Sequence, residues 1–451
     1  MNYRIPLALV LALPLPSVQG APSSAADGVL DLTFAVGGDR VVEFDRGVND
    51  TDLGRTVLVD AEDRIYLIGD VNTAGGNRIG IVRLLPDGDI DTSYGTGGDG
   101  RLVAPAAGQS IRVGGAAFAA DGHLIVVGSR VASGADTNFV ACRASPAGSL
   151  VTFPGTGSAC MAVPFDLGGD LADHAEAVVV QPDGRIVLAG TAATADGAKL
   201  ALARLLPDGN LDPSFGTAGK TTYITDGYVR FEAASVQLGA NGSLLVAGTA
   251  VTGNASQFGF MARFGTDGAP DDTFGNSGGI TRSPSGNTVY TDAIQDPRGH
   301  IVAIGTTMTH TTSPRGFAAC YTNGGGLFNC PGGNSTLEVS IGHAVSFADL
   351  QRQPDGRWLV AGAWKPMENG PWRTLLLRIR RDLVADEGDF AAPTGYIGHS
   401  YGHDYDFANG VALQHSRIIV AGSSKRANGL NYDYAVSGYR LDRIFADGLE
   451  R

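Results

Sequence analysis

The chain has 451 residues, with 65 Gly, 21 Pro, 43% apolar residues and only 18% charged ones. That composition excludes collagen-like and disordered classes and leaves ample apolar side chain for a large core. A formal net charge of -13 argues against nucleic acid and anionic lipid as partners, since like-charge repulsion would meet no basic patch to offset it.

Residues 1–20, MNYRIPLALVLALPLPSVQG, read as a signal peptide: Arg4 supplies the positive region, 6–16 the apolar stretch, and Val18-Gln19-Gly20 the cleavage region. The stretch is too short to cross a bilayer, and no other segment reads as a membrane span. A secreted or periplasmic protein is therefore expected, with a short linker over 21–27 and a single domain over 28–451.

Apolar runs ending in glycine then recur at Gly69, Gly128, Gly190, Gly248, Gly305, Gly362 and Gly422, at intervals of 59, 62, 58, 57, 57 and 60 residues. A fixed period of this kind marks a repeat architecture. Within 174–224, the runs HAEAVVV, RIVLAGT, KLALARLL and GKTTYI are short, rich in Val, Ile, Leu and Thr, and bounded by turn residues, so they read as four strands. In the QPDGR turn at 181–185, Pro presets φ, Asp bonds its own backbone and Gly takes the positive φ that closes a hairpin. Four strands per unit, radially repeated, give an all-β, seven-bladed β-propeller with four-stranded antiparallel blades. The last unit runs out of chain before a fourth strand, while 27–39, DGVLDLTFAVGGD, aligns without a gap with 208–220, DGNLDPSFGTAGK. An N-terminal strand over roughly 38–44 is expected to complete the last blade, close the ring and remove an exposed sheet edge.

In a propeller the first strand of each blade lines the channel, the turns between strands one and two and between three and four share one face, and the remaining connections share the other. The repeated LLPDGNLDPSFGTAGK frame at 205–220 belongs to the first, regular face and reads as a turn. Its copy at 87–100 is Asp-rich but lacks the ligand order and terminal Glu of an EF-hand. On the other face, where loops differ from unit to unit, three sets of residues are candidates. His399, His403, Asp404 and Asp406 in GHSYGHDYDF offer nitrogen and carboxylate ligands for a divalent cation, the cofactor such residues would take; ordinary loop packing explains them too. Asp166, Asp170, Asp173, His174 and Glu176 in FDLGGDLADHAE could hold a ligand or do acid and base work at the channel mouth, or cap turns. Trp364 and Trp372, flanking KPMENGP, form either an aromatic platform for a sugar or peptide or a loop folded on its own blade. An even cysteine count in an exported chain favours disulfides, so Cys142 with Cys160 and Cys320 with Cys330 are expected to clip the outer hairpins of the second and fifth blades at matching places.

The pattern V-x-x-x-P-D-G-x-I-V-V-A-G followed by A-R-L-x-P-D-G-x-L-D-x-x-F-G-x-x-G resembles the delta-60 repeat, a family of exported bacterial β-propeller proteins. It matches best over 177–219, well over 58–98 and 236–279, and loosely in the fifth to seventh units. The sixth, IRRDLVADEGDFAAPTG, keeps neither P-D-G nor F-G, so its outer hairpin is expected to depart from the others. The resemblance implies the fold and supplies no catalytic residue. The resulting expectation is a monomeric, exported, non-enzymatic scaffold that binds a protein, peptide or glycan through its variable loops. The alternative is a secreted polysaccharide hydrolase or lyase using acids at the channel mouth, assisted by a metal.

Overall fold

A computed structural model describes residues 27–44, 51–105, 110–275, 280–284, 286–308, 313–331, 333–425 and 431–441. The signal peptide expected over 1–20 and the linker expected from 21 lie, up to residue 26, outside the described residues. Among those described, regular structure is all strand apart from one short 3-10 turn, Ala240–Gly242, and no helix is long and apolar enough to cross a membrane.

After β1 (Asp39–Val42), strands come in groups along the chain. The first group is β2 (Asp52–Val59), β3 (Ile65–Thr73), β4 (Gly76–Leu84) and β5 (Arg101–Ala104). The second is β6 (Ile111–Phe118), β7 (Leu124–Ser133), β8 (Asp136–Ala144) and β9 (Cys160–Val163). The third is β10 (Asp173–Val180), β11 (Ile186–Thr194), β12 (Gly197–Leu205) and β13 (Lys220–Tyr223). The fourth is β14 (Tyr228–Leu238), β15 (Leu244–Thr252), β16 (Gln257–Phe264) and β17 (Ile280–Arg282). The fifth is β18 (Thr288–Gln295), β19 (Ile301–Thr307), β20 (Arg315–Tyr321) and β21 (Thr336–Val339). The sixth is β22 (Ala344–Arg352), β23 (Trp358–Lys365), β24 (Arg373–Ile379) and β25 (Tyr396–His399). The last holds β26 (Tyr405–Leu413), β27 (Arg417–Lys425) and β28 (Tyr432–Arg440), and β1 pairs antiparallel with β28 as its fourth strand. Each group is an antiparallel meander; the third and fourth share one sheet through a single parallel bridge, Ala198 to Arg230.

Second and third strands carry long apolar runs without polar alternation, buried over 65–71 in β3 and 244–251 in β15, because each group is covered on both faces by its neighbours. Alternate residues of one strand therefore enter different cores. Val187 packs with Val246 of the fourth group while Leu188 packs with Ile125 of the second. The buried apolar residues fall into clusters of this kind between successive groups, and one of them joins Ile419 and Val436 of the last group to Ile65 and Leu67 of the first. Each large side chain so buried contributes about 1.5–3 kcal/mol.

The recurrent glycine has a packing reason. A Cβ on any of the seven would run into a backbone carbonyl of the adjacent first strand, Leu53 for Gly69 and His174 for Gly190. Opposite each glycine the first strand carries a β-bulge, as between Gly54 and Thr56 and between Ala175 and Ala177. Such a bulge re-aims one side chain out of the regular alternation. Both disulfides form as paired by the sequence, Cys142–Cys160 and Cys320–Cys330, and such bonds persist in oxidising compartments.

Candidate functional site

The repeated acidic frame is spent on structure. Arg204 of β12 donates through Nε to Asp212 Oδ2 at 2.8 Å, and Asp212 Oδ1 accepts the Ser214 N–H at 3.0 Å and its hydroxyl at 2.7 Å. The guanidinium lies 4.6 Å from the centre of the Phe215 ring and donates onward to the Thr266 carbonyl of the fourth group. The Phe215 ring rests on Gly268 of that group, whose φ is +81°. Burial by itself would raise the Asp212 carboxyl, but the Ser214 hydroxyl and N–H and the Arg204 charge outweigh it and hold it below the usual range. The same clasp recurs as Arg83 with Asp91, Ser93 and Tyr94, and as Arg263 with Asp271, Thr273 and Phe274. The Asp-rich copy at 87–100 thus has Asp91 bound to Arg83, and Asp87 and Asp99 accepting N–H groups of their own turns.

The sixth group, expected to depart, builds the clasp with other residues: Arg378 donates to Asp386 at 2.8 Å and lies over Phe390 at 4.7 Å. Its partner is the N-terminal segment, where Asp27 Oδ2 accepts from Arg378 at 2.7 Å. That segment also serves the last group, Arg417 donating to Asp31 at 2.6 Å while Phe34 packs on Gly438 and Gly88.

On the opposite face, His399 Nε2 lies 2.8 Å from Asp39 Oδ2, and His403 Nδ1 lies 2.7 Å from Ser424 Oγ. The buried Asp406 carboxylate accepts Ser424 Oγ at 2.6 Å, the Tyr401 N–H and Arg373. Asp404 meets Lys425 through its backbone. His403 and Asp406 thus meet at Ser424, while His399 faces Asp39 and Asp404 bonds through its backbone. Among the described residues, no group of three or more His, Cys, Asp or Glu is placed to hold a metal ion. Asp406 opens its inner strand as Asp52 and Asp173 open theirs, and each clips the incoming link, Asp173 Oδ2 by the Phe165 N–H at 2.7 Å and Asp52 Oδ2 by the Phe44 N–H at 3.2 Å. Burial, with the neighbouring Asp166 charge, pushes the Asp173 carboxyl up to about 6 against those N–H bonds. Asp170 is exposed and accepts the Ala172 N–H, and Asp166 sits at a positive φ of 51° in the link. Trp364 packs edge-on against Tyr396 and Trp372 lies against Phe407, ring centres 5.9 Å apart in both pairs. Both indoles are thus held against their neighbours' rings.

Of the candidate residues, His174 and Glu176 reach the channel, where a cavity of about 520 Å³ opens. All seven bulged residues line it: Arg55, Gly114, Glu176, Ala234, Thr291, Ala348 and Asn409. Arg112, His174 and Glu232 stand nearer its rim, on the face of the variable loops. Arg55 pairs with Asp70 at 2.8 Å, and Asp70 also accepts the Val113 N–H at 2.6 Å. Arg112 reaches across to Glu176 at 2.7 Å. Burial depresses the His174 imidazole below its ordinary value, which keeps it neutral and able to accept a proton at pH 7. Two guanidinium forks suit carboxylates and hydroxyls, and Glu232 and Asn409 add acceptors for sugar or peptide hydrogens. Arg55, Arg112, Glu232, Thr291 and Asn409 are absent from the sequence candidates. Their signal is positional: six bulged residues stand fourteen places before a repeat glycine, and Asn409 thirteen before Gly422.

Segments 63–94, 181–215, 239–274 and 353–388 match the family model described as "Domain of unknown function (DUF5122) beta-propeller". Each covers the second and third strands and the first three reach the clasp's aromatic ring, the fourth ending two residues before Phe390; the chain is of the β-propeller type. No curated protein matches. Solved structures similar to it include a protein of unknown function from Dyadobacter fermentans DSM 18053, 13% identical with a TM-score of 0.42, covering 90% of this chain and 99% of that one. A polysaccharide lyase is 9% identical with a TM-score of 0.48 and covers 94% of both chains. A Hadza microbial sialidase is 11% identical with a TM-score of 0.43, covering 82% of this chain and 74% of its own.

Proposed function

We propose that the chain is an exported seven-bladed β-propeller, closed by its own N-terminal strand, that binds a glycan or peptide segment in the channel-mouth cavity without turning it over. Closure is supported by β1 in the last sheet, by the apolar cluster between the last group and the first, and by Phe34 resting on Gly88. The observation that carries the binding reading is that every inner strand sends its bulged residue into one cavity, which receives two guanidinium groups, an imidazole and two carboxylates. Its cations are held by Asp70 and Glu176 at the wall with donors to spare, an arrangement suited to an anionic glycan or an acidic peptide.

A second reading, a lyase or hydrolase, draws support from His174 standing as a neutral base beside Arg112 and Glu176. One experiment separates the two: calorimetric titration with uronate and neutral oligosaccharides and acidic peptides, followed by chromatography of the recovered ligand. Binding with intact ligand, weakened about tenfold or more in Arg112→Ala by loss of a charge-assisted hydrogen bond, upholds the scaffold. Cleaved ligand, with cleavage lost in His174→Ala, replaces it by the enzyme. No heat with any of these ligands removes the cavity as the site.

A further inference from the structure

The seam between the fifth and sixth groups breaks the clasp. By strand register, Cys320 opposite Val302 stands where Arg204 stands opposite Val187. Counting on from that register, Phe328 takes the place of Asp212 and Cys330 that of Ser214. A disulfide and an apolar ring therefore replace the ion pair made by Arg83, Arg204 and Arg263 in their seams. Across the seam, Leu383 takes the place of Gly268, with a φ of 60° in the region favoured by glycine.

A cavity of about 90 Å³ remains there, on the regular face and away from the channel mouth. Arg298, Arg352 and Arg381 line it, with the buried Trp358 and with Phe328 tilted against His300, ring centres 4.7 Å apart. Among the described residues, none of these three guanidinium groups has a carboxylate partner. The one carboxylate lining the cavity, Asp296, accepts the Arg298 and His300 N–H groups at 2.9 Å and faces the His300 ring at 3.7 Å. In a chain with 46 acidic against 33 basic residues, three guanidinium groups gathered around the single Asp296 carboxylate carry an excess positive charge that a bound anion would neutralise. Guanidinium forks match tetrahedral oxyanions, and the volume holds roughly three waters, enough for such a group and too little for a sugar ring.

We propose that this seam is an oxyanion site in which Arg298, Arg352 and Arg381 receive a sulfate or phosphate group, free or borne by a larger molecule whose remainder stays outside. The site is independent of the channel-mouth cavity. The test is calorimetric titration with sodium sulfate and sodium phosphate at constant ionic strength, with chloride as control. A single saturable site is expected in the wild type, weakened about tenfold or more in Arg352→Gln and in Arg381→Gln by loss of a charge-assisted hydrogen bond. Melting temperatures without anion establish that each variant folds, and the exposed Arg298→Gln serves if either does not. Heat indistinguishable from chloride, or equal affinity in wild type and folded variants, overturns the proposal. A sulfated disaccharide that binds more tightly than both sulfate and its desulfated parent identifies an ester group as the natural occupant; affinity equal to that of sulfate identifies the free anion.

Discussion

The seam between the third and fourth groups and the seam between the fifth and sixth share one strand register and are held by different chemistry. At the first, Arg204, Asp212, Ser214 and Phe215 make a polar clasp whose ring closes on Gly268. At the second, Cys320 and Cys330 close the hairpin covalently, and Leu383 fills the floor from the other side. The comparison teaches that the repeat demands a filled seam and leaves the filling open: an ion pair with all its hydrogen bonds made, or a crosslink with apolar packing. It also shows what each leaves behind, since the polar clasp consumes its arginine while the crosslinked seam leaves three unpaired.

Breaking the polar clasp should have the largest effect. Asp212→Ala strands the buried Arg204 charge and should cost about 3–5 kcal/mol in urea unfolding; a loss under about 1 kcal/mol would mean that the ring alone holds the seam. Next, Cys320→Ser with Cys330→Ser opens a loop with a sequence separation of 10 and should cost about 3 kcal/mol; equal stability of wild type with and without reductant would contradict this. Gly268→Ala adds a Cβ at positive φ, 2.7 Å from the Phe215 ring, and should lose about 1–3 kcal/mol, seen as a lower melting temperature.

The smallest effect concerns neighbouring inner strands. Asp349 Oδ2 accepts the Val411 N–H at 2.7 Å, and Asp292 Oδ2 accepts the Leu350 N–H at 3.3 Å, so each carboxyl ties its strand to the next. Burial raises both; the Asp292 charge raises Asp349 further, while hydrogen bonds from Ser235 and from the Ala293 and Leu350 N–H groups partly offset the rise at Asp292. A carboxyl raised on folding contributes stability that is full below its unfolded value of about 4 and is lost as pH rises through its folded value. Stability should therefore decline from about pH 4 towards neutral and beyond, by about 1–3 kcal/mol across the range. Asp349→Asn, which donates permanently to Asp292, should flatten that slope in urea titrations at stepped pH; an unchanged slope would place its origin elsewhere.

Much of the fold was legible because its causes are local. The glycine period marks where a second strand crowds the first, and P-D-G turns demand particular φ values. The disulfide partners were legible as near pairs, though not their register: Cys142 faces Val126 and Cys160, one place earlier than Cys320 in the common register. The sixth outer hairpin departs from the repeat in spacing, with the aromatic four places after the acid instead of three, yet Asp386 and Phe390 keep the chemistry of the clasp, which its motif does not reveal. The acids at the channel mouth were only partly legible. Asp173 and Glu176 lie three residues apart, yet one turns to clip a link and the other, lifted by the bulge, enters the cavity.

Sequence by itself determined the repeat, the strand runs, the turn chemistry and the cysteine pairs, all of which rest on interactions within about twenty residues. Only the tertiary structure decided which charges remain for a ligand. Arg204 and Asp212 satisfy each other inside one hairpin, whereas Arg112 meets Glu176 from the next group and Arg378 meets Asp27 across 351 residues of chain. The cavity likewise exists because seven bulged residues, about one repeat apart, converge when the inner strands pack side by side. That convergence is set by how the sheets assemble around the channel, and no short stretch of sequence encodes it.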